Sequence, residues 1–180
     1  MAAAITSIDF SLLYWIQVHM RNTFFDSFFK FITHLGDTGV IWIALGIILL
    51  CFPKTRRCGI CMLACLAVTA LLGEGILKHL FTRERPCVQQ PIEDMLLAVP
   101  STYSFPSGHS ASSFTAATAV FFHYRKAGIA AYILAALIAF SRLYCYVHFP
   151  TDVLTGIALG LCVGIVLVPR LSRQLAARSK

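Results

Sequence analysis

The sequence is short of charged residues, and of acidic residues in particular. Only 13% of its 180 residues are charged, whereas 58% are hydrophobic and the mean hydropathy is +0.75. Ordinary soluble domains carry about 25% charged and about 45–50% apolar residues. The scarcity of charge therefore argues against a soluble globular domain, a disordered chain and a fibrous repeat, and it predicts an integral membrane protein. The length allows one domain, residues 1–180.

A complete metal-binding pattern is also lacking. Three of the seven cysteines, Cys58, Cys61 and Cys65, have a ligand-like spacing. They lie in an apolar run without the second pair of cysteines or histidines that a zinc site would need. We interpret them as buried thiols and expect neither a metal nor another cofactor. No basic region precedes the first apolar stretch, so we expect no cleaved signal peptide.

Basic residues outnumber acidic ones by 15 to 8, which gives a net charge of +7. In so apolar a chain this excess indicates cytoplasmic loops facing anionic lipid, and not nucleic acid. If the chain crosses the membrane in five spans of alternating direction, nine basic residues lie on the same side of the membrane: Lys54, Arg56, Arg57, Arg125, Lys126, Arg170, Arg173, Arg178 and Lys180. We expect that side to be cytoplasmic, together with a basic tail at 170–180.

Long apolar stretches predict an all-α bundle of transmembrane helices. A spanning helix needs about 20 apolar residues. Four stretches approach or reach that length, and a shorter one precedes them: 58–77, 110–124, 128–146 and 152–169, preceded by 37–52. We predict five to six transmembrane helices, with the functional core at 37–169.

Residues 1–36 carry a different pattern. After Asn22, a candidate helix cap, six apolar side chains fall on one helical face: Phe24, Phe25, Phe28, Phe29, Ile32 and Leu35. This pattern is typical of an amphipathic helix lying in the bilayer interface. A sixth span with an aromatic belt is the alternative.

Three polar segments, 78–86, 106–109 and 141–152, are expected on the side of the membrane opposite the basic loops. Lys78, Arg85 and Arg142 lie near the ends of apolar helices, where unpaired charge is costly, and they would repel one another without an anion between them. Ser107 and Gly108 begin a helix whose backbone N–H groups can point at the same anion. The segments therefore predict a phosphate-binding site.

Two histidines make this predicted site reactive. A neutral imidazole can attack phosphorus, and a protonated one can donate to a leaving oxygen. Pro150 places His148 in a turn and Asp152 in the first turn of the next helix, where its carboxylate can orient the ring. His34, His79 and His123, by contrast, are expected to be packed or pore-facing residues.

The motifs Lys78-x6-Arg85-Pro86, Pro106-Ser107-Gly108-His109 and Ser141-Arg142-x5-His148-x3-Asp152 together resemble the three signatures of the phosphatidic acid phosphatase type 2 superfamily. This family includes membrane lipid phosphatases, glucose-6-phosphatase and vanadium haloperoxidases. The resemblance implies a metal-free phosphatase with an all-α fold and an extracytoplasmic site.

The resemblance also implies a role for each motif residue. Phosphate oxygens would be bound by Lys78, Arg85, Ser107, Gly108 and Arg142. His148 would be the nucleophile that forms a phosphohistidine, Asp152 would orient it, and His109 would protonate the leaving group and then help to activate water. Pro86 would have a supporting part. From the sequence itself, Glu74 lies one turn before Lys78 and either pairs with it or serves packing only.

The expected substrate is a lipid phosphate in the inner (plasma) membrane, because almost no soluble domain is present to bind a soluble one. By family analogy undecaprenyl diphosphate ranks first, followed by phosphatidylglycerol phosphate and phosphatidic acid. Two other classes compete, namely a vanadate-dependent haloperoxidase-like enzyme and a non-enzymatic anion transporter. The former is soluble in the family, and the latter has no need of a histidine positioned by Asp152. The oligomeric state is open.

Overall fold

The computed structural model describes residues 2–178, so Met1 and the last two residues of the predicted tail, Ser179 and Lys180, lie outside it. All regular elements of the described part are helical, which confirms the all-α prediction. They are α1 (Ala2–His19), α2 (Thr23–Leu35), α3 (Val40–Cys51), α4 (Arg56–Ala70), α5 (Lys78–Phe81), α6 (Pro86–Gln89), α7 (Gly108–His123), α8 (Arg125–Tyr144) and α9 (Pro150–Arg178). A 3-10 turn, Asp37–Gly39, joins α2 to α3, and a π-helical segment, Leu71–Leu77, joins α4 to α5.

Three helical stretches of the described residues are long and apolar enough to cross a membrane. They are Arg56–Gln89, Arg125–Tyr144 and Pro150–Ala177. The pair Thr23–Leu35 and Asp37–Cys51, bent by 44°, makes a fourth if it crosses as one span. Helix α7 has 16 residues, fewer than the about 20 that a straight crossing needs. The last helix continues past Pro169, where the sequence predicted the end of the span.

Helix α7 lies at the centre of the bundle and packs on α4, α8 and α9. Its approach to α9 depends on two glycines. A Cβ on Gly160 would lie 2.4 Å from the carbonyl oxygen of Ala111, and one on Gly156 would lie 2.5 Å from that of Ser107. Small residues let membrane helices pack this closely. The contact brings the N-termini of α7 and α9 to the same end of the bundle.

Helix α2 lies along α8 with one face buried. Asn22 caps it, as predicted, by accepting a hydrogen bond from the backbone N–H of Phe25. The ring of Phe29 is buried against Tyr144 on α8, with ring centroids 4.6 Å apart. Phe24, by contrast, is exposed. Helix α2 and the turn after it therefore form one wall of the bundle end where the polar segments meet.

Candidate active site

A cavity of about 870 Å³ opens at this end of the bundle. All three polar segments reach its walls, through Lys78, Arg85, Gly108, His109, Arg142 and His148. Apolar side chains complete the walls, among them Ile43, Leu63, Leu66 and Leu97. Ser107 and Asp152 are fully buried behind the lining residues. The structure thus brings together the residues that the sequence predicted for one site, in a cavity that is polar on one side and apolar on the other.

His148 lies in the turn between α8 and α9, and Asp152 lies in the first turn of α9, which confirms the predicted local structure. The histidine Nε2 is 3.1 Å from Nη1 of Arg85. Its Nδ1 is 3.6 Å from Oδ2 of Asp152 and 3.5 Å from Oγ of Ser104, and the Ser104 hydroxyl donates to that same carboxylate oxygen. The ring therefore turns Nδ1 towards the carboxylate and Nε2 towards the cationic wall.

The environment of His148 keeps its imidazole neutral. Burial lowers the pKa of His148 to about 3, and the positive charges of Arg85 and Arg142 act in the same direction, against the opposing effect of Asp152. An imidazole that stays unprotonated at neutral pH retains a free lone pair on one nitrogen. This is the protonation state that a nucleophile requires.

Arg85 is held rigidly by the loop that follows α6. Its guanidinium donates to the carbonyl oxygens of Thr102 (2.7 Å), Val147 (2.8 Å) and Tyr103 (3.2 Å) and to the hydroxyl of Thr102 (3.1 Å). Pro86, at the first position of α6, is buried directly after it and has the fixed backbone angle that suits a helix start. The loop after α6, together with Val147, therefore fixes the direction of this cation.

Arg142 and Lys78 are the other two buried cations of the cavity. Nη1 of Arg142 donates to the hydroxyl of Thr33, while its buried Nε has no hydrogen-bond partner among the described residues. Nζ of Lys78 lies 2.6 Å from Oε2 of Glu74, so the pairing suggested by their spacing of four residues is present. A buried donor without a partner is costly. Arg142 thus lines the cavity with one buried donor that has no partner in the described part of the chain.

The start of α7 faces the cavity through Gly108. Ser107 caps the helix, and its hydroxyl oxygen accepts from the backbone N–H and the hydroxyl of Ser110. A Cβ on Gly108 would lie 2.3 Å from Oε1 of Glu74, so a residue with a side chain would not fit without displacing that carboxylate. The first N–H groups of a helix have no partner within the helix and suit an anion.

His109 has a carboxylate partner that the sequence did not predict. Its Nε2 lies 3.0 Å from Oδ1 of Asp37, and the other oxygen of Asp37 lies 2.7 Å from Nδ1 of His34. Gly36 permits this approach, because a Cβ there would lie 2.6 Å from Cδ2 of His109. Asp37 offered one signal in the sequence, a carboxylate at the very start of an apolar stretch, where charge is costly and often functional.

Within residues 2–178 no group of three or more histidine, cysteine, aspartate or glutamate side chains is placed to hold a metal ion. Cys58, Cys61 and Cys65 are buried between helices. The thiol of Cys58 donates to the carbonyl oxygen of Ala119, 3.7 Å away. The polar wall of the cavity carries three cations together with His109 and His148, an arrangement that suits an oxyanion.

Comparisons with known proteins agree with this geometry. The sequence profile of the PAP2 superfamily matches residues 59–175. An undecaprenyl-diphosphatase of Sulfolobus acidocaldarius is 33% identical over 129 residues, which cover 71% of this chain and 62% of the relative, so the chain spans less than two thirds of that protein. A decaprenylphosphoryl-5-phosphoribose phosphatase of Mycobacterium tuberculosis is 30% identical over 76% of this chain and 75% of its own length.

The fold has a solved counterpart as well. The crystal structure of a transmembrane PAP2 type phosphatidylglycerolphosphate phosphatase from Bacillus subtilis superposes with a TM-score of 0.74. The two sequences are 28% identical, and the match covers 98% of this chain and 88% of that one.

Proposed function

Because this chain belongs to the PAP2 superfamily, we propose that it hydrolyses a lipid phosphate through a phosphohistidine on His148, without a metal ion. The proposed substrate is undecaprenyl diphosphate, which would give undecaprenyl phosphate and inorganic phosphate. One observation carries the proposal: Nε2 of the neutral His148 lies 3.1 Å from the guanidinium of Arg85, on the wall of a cavity that also holds Arg142 and Lys78.

In the first step the terminal phosphoryl group binds among the three cations and the N-terminus of α7. Nε2 of His148 attacks phosphorus, a P–N bond forms, and the bond from phosphorus to the leaving oxygen breaks. The electron pair of that bond goes to the leaving oxygen, which His109 protonates. Asp152 holds the Nδ1 proton and balances the positive charge that develops on the ring.

In the second step water replaces the lipid product. His109, now neutral, accepts a proton from the water as its oxygen attacks phosphorus, and the P–N bond breaks to restore neutral His148. Inorganic phosphate then leaves the cationic wall. Glu74 supports Lys78 in both steps through their 2.6 Å ion pair. Unchanged turnover and affinity in Glu74→Gln would contradict that supporting role.

The proposed setting is a plasma membrane that the bundle crosses five to six times, counting α7 and the N-terminal helices. The site faces the extracytoplasmic side, and the C-terminus is cytoplasmic. The distribution of basic residues supports this orientation. Lys54 lies in the turn between α3 and α4, Arg125 and Lys126 begin α8, and Arg170 lies in the last third of α9; none of them lines the cavity. Thiol- or amine-directed labelling of intact cells at an added Cys or Lys on each side would test it.

Phosphatidylglycerol phosphate is the second candidate substrate, because the solved relative from Bacillus subtilis is named for it and matches nearly the whole chain. Both candidates present a terminal phosphate on a lipid, and they differ in the leaving group. The deciding experiment measures phosphate release from each lipid, and from phosphatidic acid, by the purified protein in detergent with excess chelator. His148→Gln serves as the inactive control.

We expect the protein to release phosphate in chelator and to retain ³²P on His148 after acid-free quenching of a terminally labelled substrate. No release from any of the three lipids, or full activity of His148→Gln, would overturn the proposed function. Loss of activity in chelator that Mg²⁺ or Zn²⁺ restores would overturn the metal-free mechanism. Phosphate flux into vesicles that persists in His148→Gln would favour an anion transporter.

A further inference from the structure

The N-terminal helix α1 buries a carboxylate that the proposed mechanism does not use. Asp9 is the single Asp, Glu, Lys or Arg residue of α1, and its side chain is 2% exposed. Burying a charge in an apolar helix is costly unless it is paired. The groups that contact Asp9 therefore indicate which part of the structure its charge stabilises.

Asp9 reaches the turn that carries the proposed nucleophile. One oxygen accepts from the backbone N–H of Thr151 at 3.1 Å, and the other accepts from the hydroxyl of Thr151 at 2.6 Å and from Nη2 of Arg83 at 2.8 Å. Thr151 lies between the helix start at Pro150 and Asp152. Helix α1 is thus tied to the first turn of α9.

Arg83 joins Asp9 to the proposed catalytic carboxylate. Its Nη1 lies 2.7 Å from Oδ1 of Asp152, while its Nη2 binds Asp9. The carbon of the guanidinium stands 3.9 Å from the centre of the Phe149 ring, so its plane is supported by an aromatic face. A planar fork with fixed N–H directions can bridge two carboxylates in this way, whereas a lysine amine would not fix both.

This bridge determines which way the Asp152 carboxylate is turned. With Oδ1 held by Arg83, the other oxygen, Oδ2, accepts from the backbone N–H of Phe149 at 2.8 Å and from Ser104, and faces Nδ1 of His148 at 3.6 Å. The carboxylate has a donor on each side and little freedom to rotate. Arg83 pairs with two carboxylates at once, so it offsets the negative charge of Asp152 less than it would in a pair with Asp152 alone. More of that negative charge then acts on the ring of His148.

We propose that Asp9 and Arg83 are positioning residues of the reaction, which hold the orientation and charge of Asp152 so that it can support His148. The inference rests on the proposed function, because it concerns the same nucleophile. It assigns to the N-terminal helix a direct part in the site: α1 supplies the outer carboxylate of a chain from Asp9 through Arg83 and Asp152 to His148. Neither Asp9 nor Arg83 lines the cavity, so both would act on the reaction through Asp152.

The test separates positioning from simple stability by charge balance. Arg83→Gln leaves two buried carboxylates without their cation, and Asp9→Asn leaves Arg83 to Asp152 alone, so both single variants are expected to lower the melting temperature. The double variant Asp9→Asn/Arg83→Gln removes one positive and one negative charge, and we expect it to recover most of the melting temperature. It still lacks the bridge. Its kcat is expected to fall on the order of 100-fold with KM within a few-fold of wild type, because a small misplacement of a reacting group is costly.

A second Arg–Asp pair of the N-terminal region provides the matched control. Nε of Arg21 lies 3.1 Å from Oδ1 of Asp26, and the two side chains are 20% and 25% exposed. Neither residue lines the cavity. The double variant Arg21→Gln/Asp26→Asn changes the same charges. We expect it to keep the kcat of wild type, measured with the lipid that wild type hydrolyses fastest among the three tested above.

Wild-type kcat in Asp9→Asn/Arg83→Gln would overturn the inference and leave a purely structural ion pair. An equal loss of kcat in both double variants would also overturn it, since the effect would then be general. If the first double variant does not fold, Arg83→Lys decides, because it keeps the charge without the fork: we expect at least a tenfold loss of kcat at constant KM, and an unchanged kcat would refute the positioning role. An inactive wild type, or an active His148→Gln, would instead refute the proposed function itself.

Discussion

Three histidines line the cavity, and two of them, His148 and His109, are the predicted catalytic residues, each with a carboxylate partner in a different environment. His148 and its partner Asp152 are almost completely buried, with side chains 2% and 0% exposed. His109 is 17% exposed, and its partner Asp37 is half-exposed. Water screens a charge at the second pair far more than at the first. The difference suits the two proposed tasks: the deeply buried ring is held in place for attack, and the ring nearer to solvent is placed for proton transfer with the leaving oxygen and with water.

The two pairs also differ in how their carboxylates are held. Asp152 receives hydrogen bonds from Arg83, Ser104 and the backbone N–H of Phe149. Asp37 is shared between two histidines, His34 and His109. The first carboxylate is fixed by three donors, whereas the second is divided between two imidazole rings. Neutralising the two carboxylates one at a time should therefore have unequal effects.

The largest effect is expected for Asp152→Asn. The amide cannot balance the charge that develops on His148, and it can place an N–H against the ring, so kcat should fall by about 10³–10⁴-fold with any of the lipid substrates. The measurement is initial-rate phosphate release, with the melting temperature in detergent as a check on folding. A loss of less than tenfold in a folded variant would mean that Asp152 is not needed to orient the nucleophile.

Asp37→Asn should have a smaller effect that depends on the leaving group. A phosphate monoester such as phosphatidylglycerol phosphate releases an alcohol, whose oxygen needs a proton in the transition state, whereas a diphosphate releases a phosphate, a much weaker base that depends far less on proton donation. We expect kcat to fall by about 10²-fold on the monoester, within the range of general acid catalysis, and much less on undecaprenyl diphosphate.

His34→Gln is the control for this prediction, because it removes the other partner of Asp37 without touching His109. We expect its kcat to remain close to wild type on both lipids. Equal losses on the two substrates in Asp37→Asn would show that this carboxylate does not act through proton donation by His109.

A third prediction concerns stability, and it applies to the buried pair only. The pKa of His148 is about 3 in the folded protein and 6.5 when unperturbed, so between these values the unfolded chain binds the proton more readily. The free energy of unfolding therefore falls as the pH drops below 6.5 towards 3. Melting temperatures across this range should decline more steeply for wild type than for His148→Gln. Parallel curves for the two proteins would contradict the buried, neutral state of this histidine.

The smallest change is expected for Glu74→Gln, which separates a supporting role from packing. The side chain of Glu74 is 47% exposed, so its ion pair with Lys78 is partly screened by water. We expect KM to change a few-fold with little effect on kcat, and Lys78→Met to have a clearly larger effect on KM. Equal effects of the two substitutions would show that Lys78 acts only through its pairing with Glu74.

The residues recoverable from the sequence are those in short segments of dense polarity. His148, Pro150 and Asp152 lie within five positions, so turn and helix-start chemistry placed them correctly. The helices beginning at Gly108 and Pro150 follow for the same reason. Local spacing was enough because each of these motifs contains a residue that determines the local backbone conformation, namely a proline, a capping serine or a glycine.

The partners of those residues come from distant parts of the chain and could not be predicted in this way. Asp37 lies 72 positions from His109, and Ser104 lies 48 positions from Asp152. Neither Asp37 nor Ser104 lies in a sequence pattern that identifies its partner. The packing of the helices brings each pair together. Asp9 carried a weak signal as a lone charge in an apolar helix, and its partner Arg83 is one of the six unspecified positions between Lys78 and Arg85.

The π-helical segment Leu71–Leu77 has a consequence for how this protein tolerates changes of chain length. The backbone N–H of Lys78 bonds to the carbonyl of Gly73, five residues earlier, so the segment holds one residue more than an α-helix would. Deleting Gly75 would let the helix close into ordinary α turns with its hydrogen bonds intact. Because the segment already accommodates the extra residue, the side chains beyond it, Lys78 among them, would keep about their present direction. A deletion in the regular turns of α4 would instead turn Lys78 by about 100° about the helix axis and carry it away from the phosphate wall, so the chain should tolerate the loss of a residue in the π-helical segment better than one in α4.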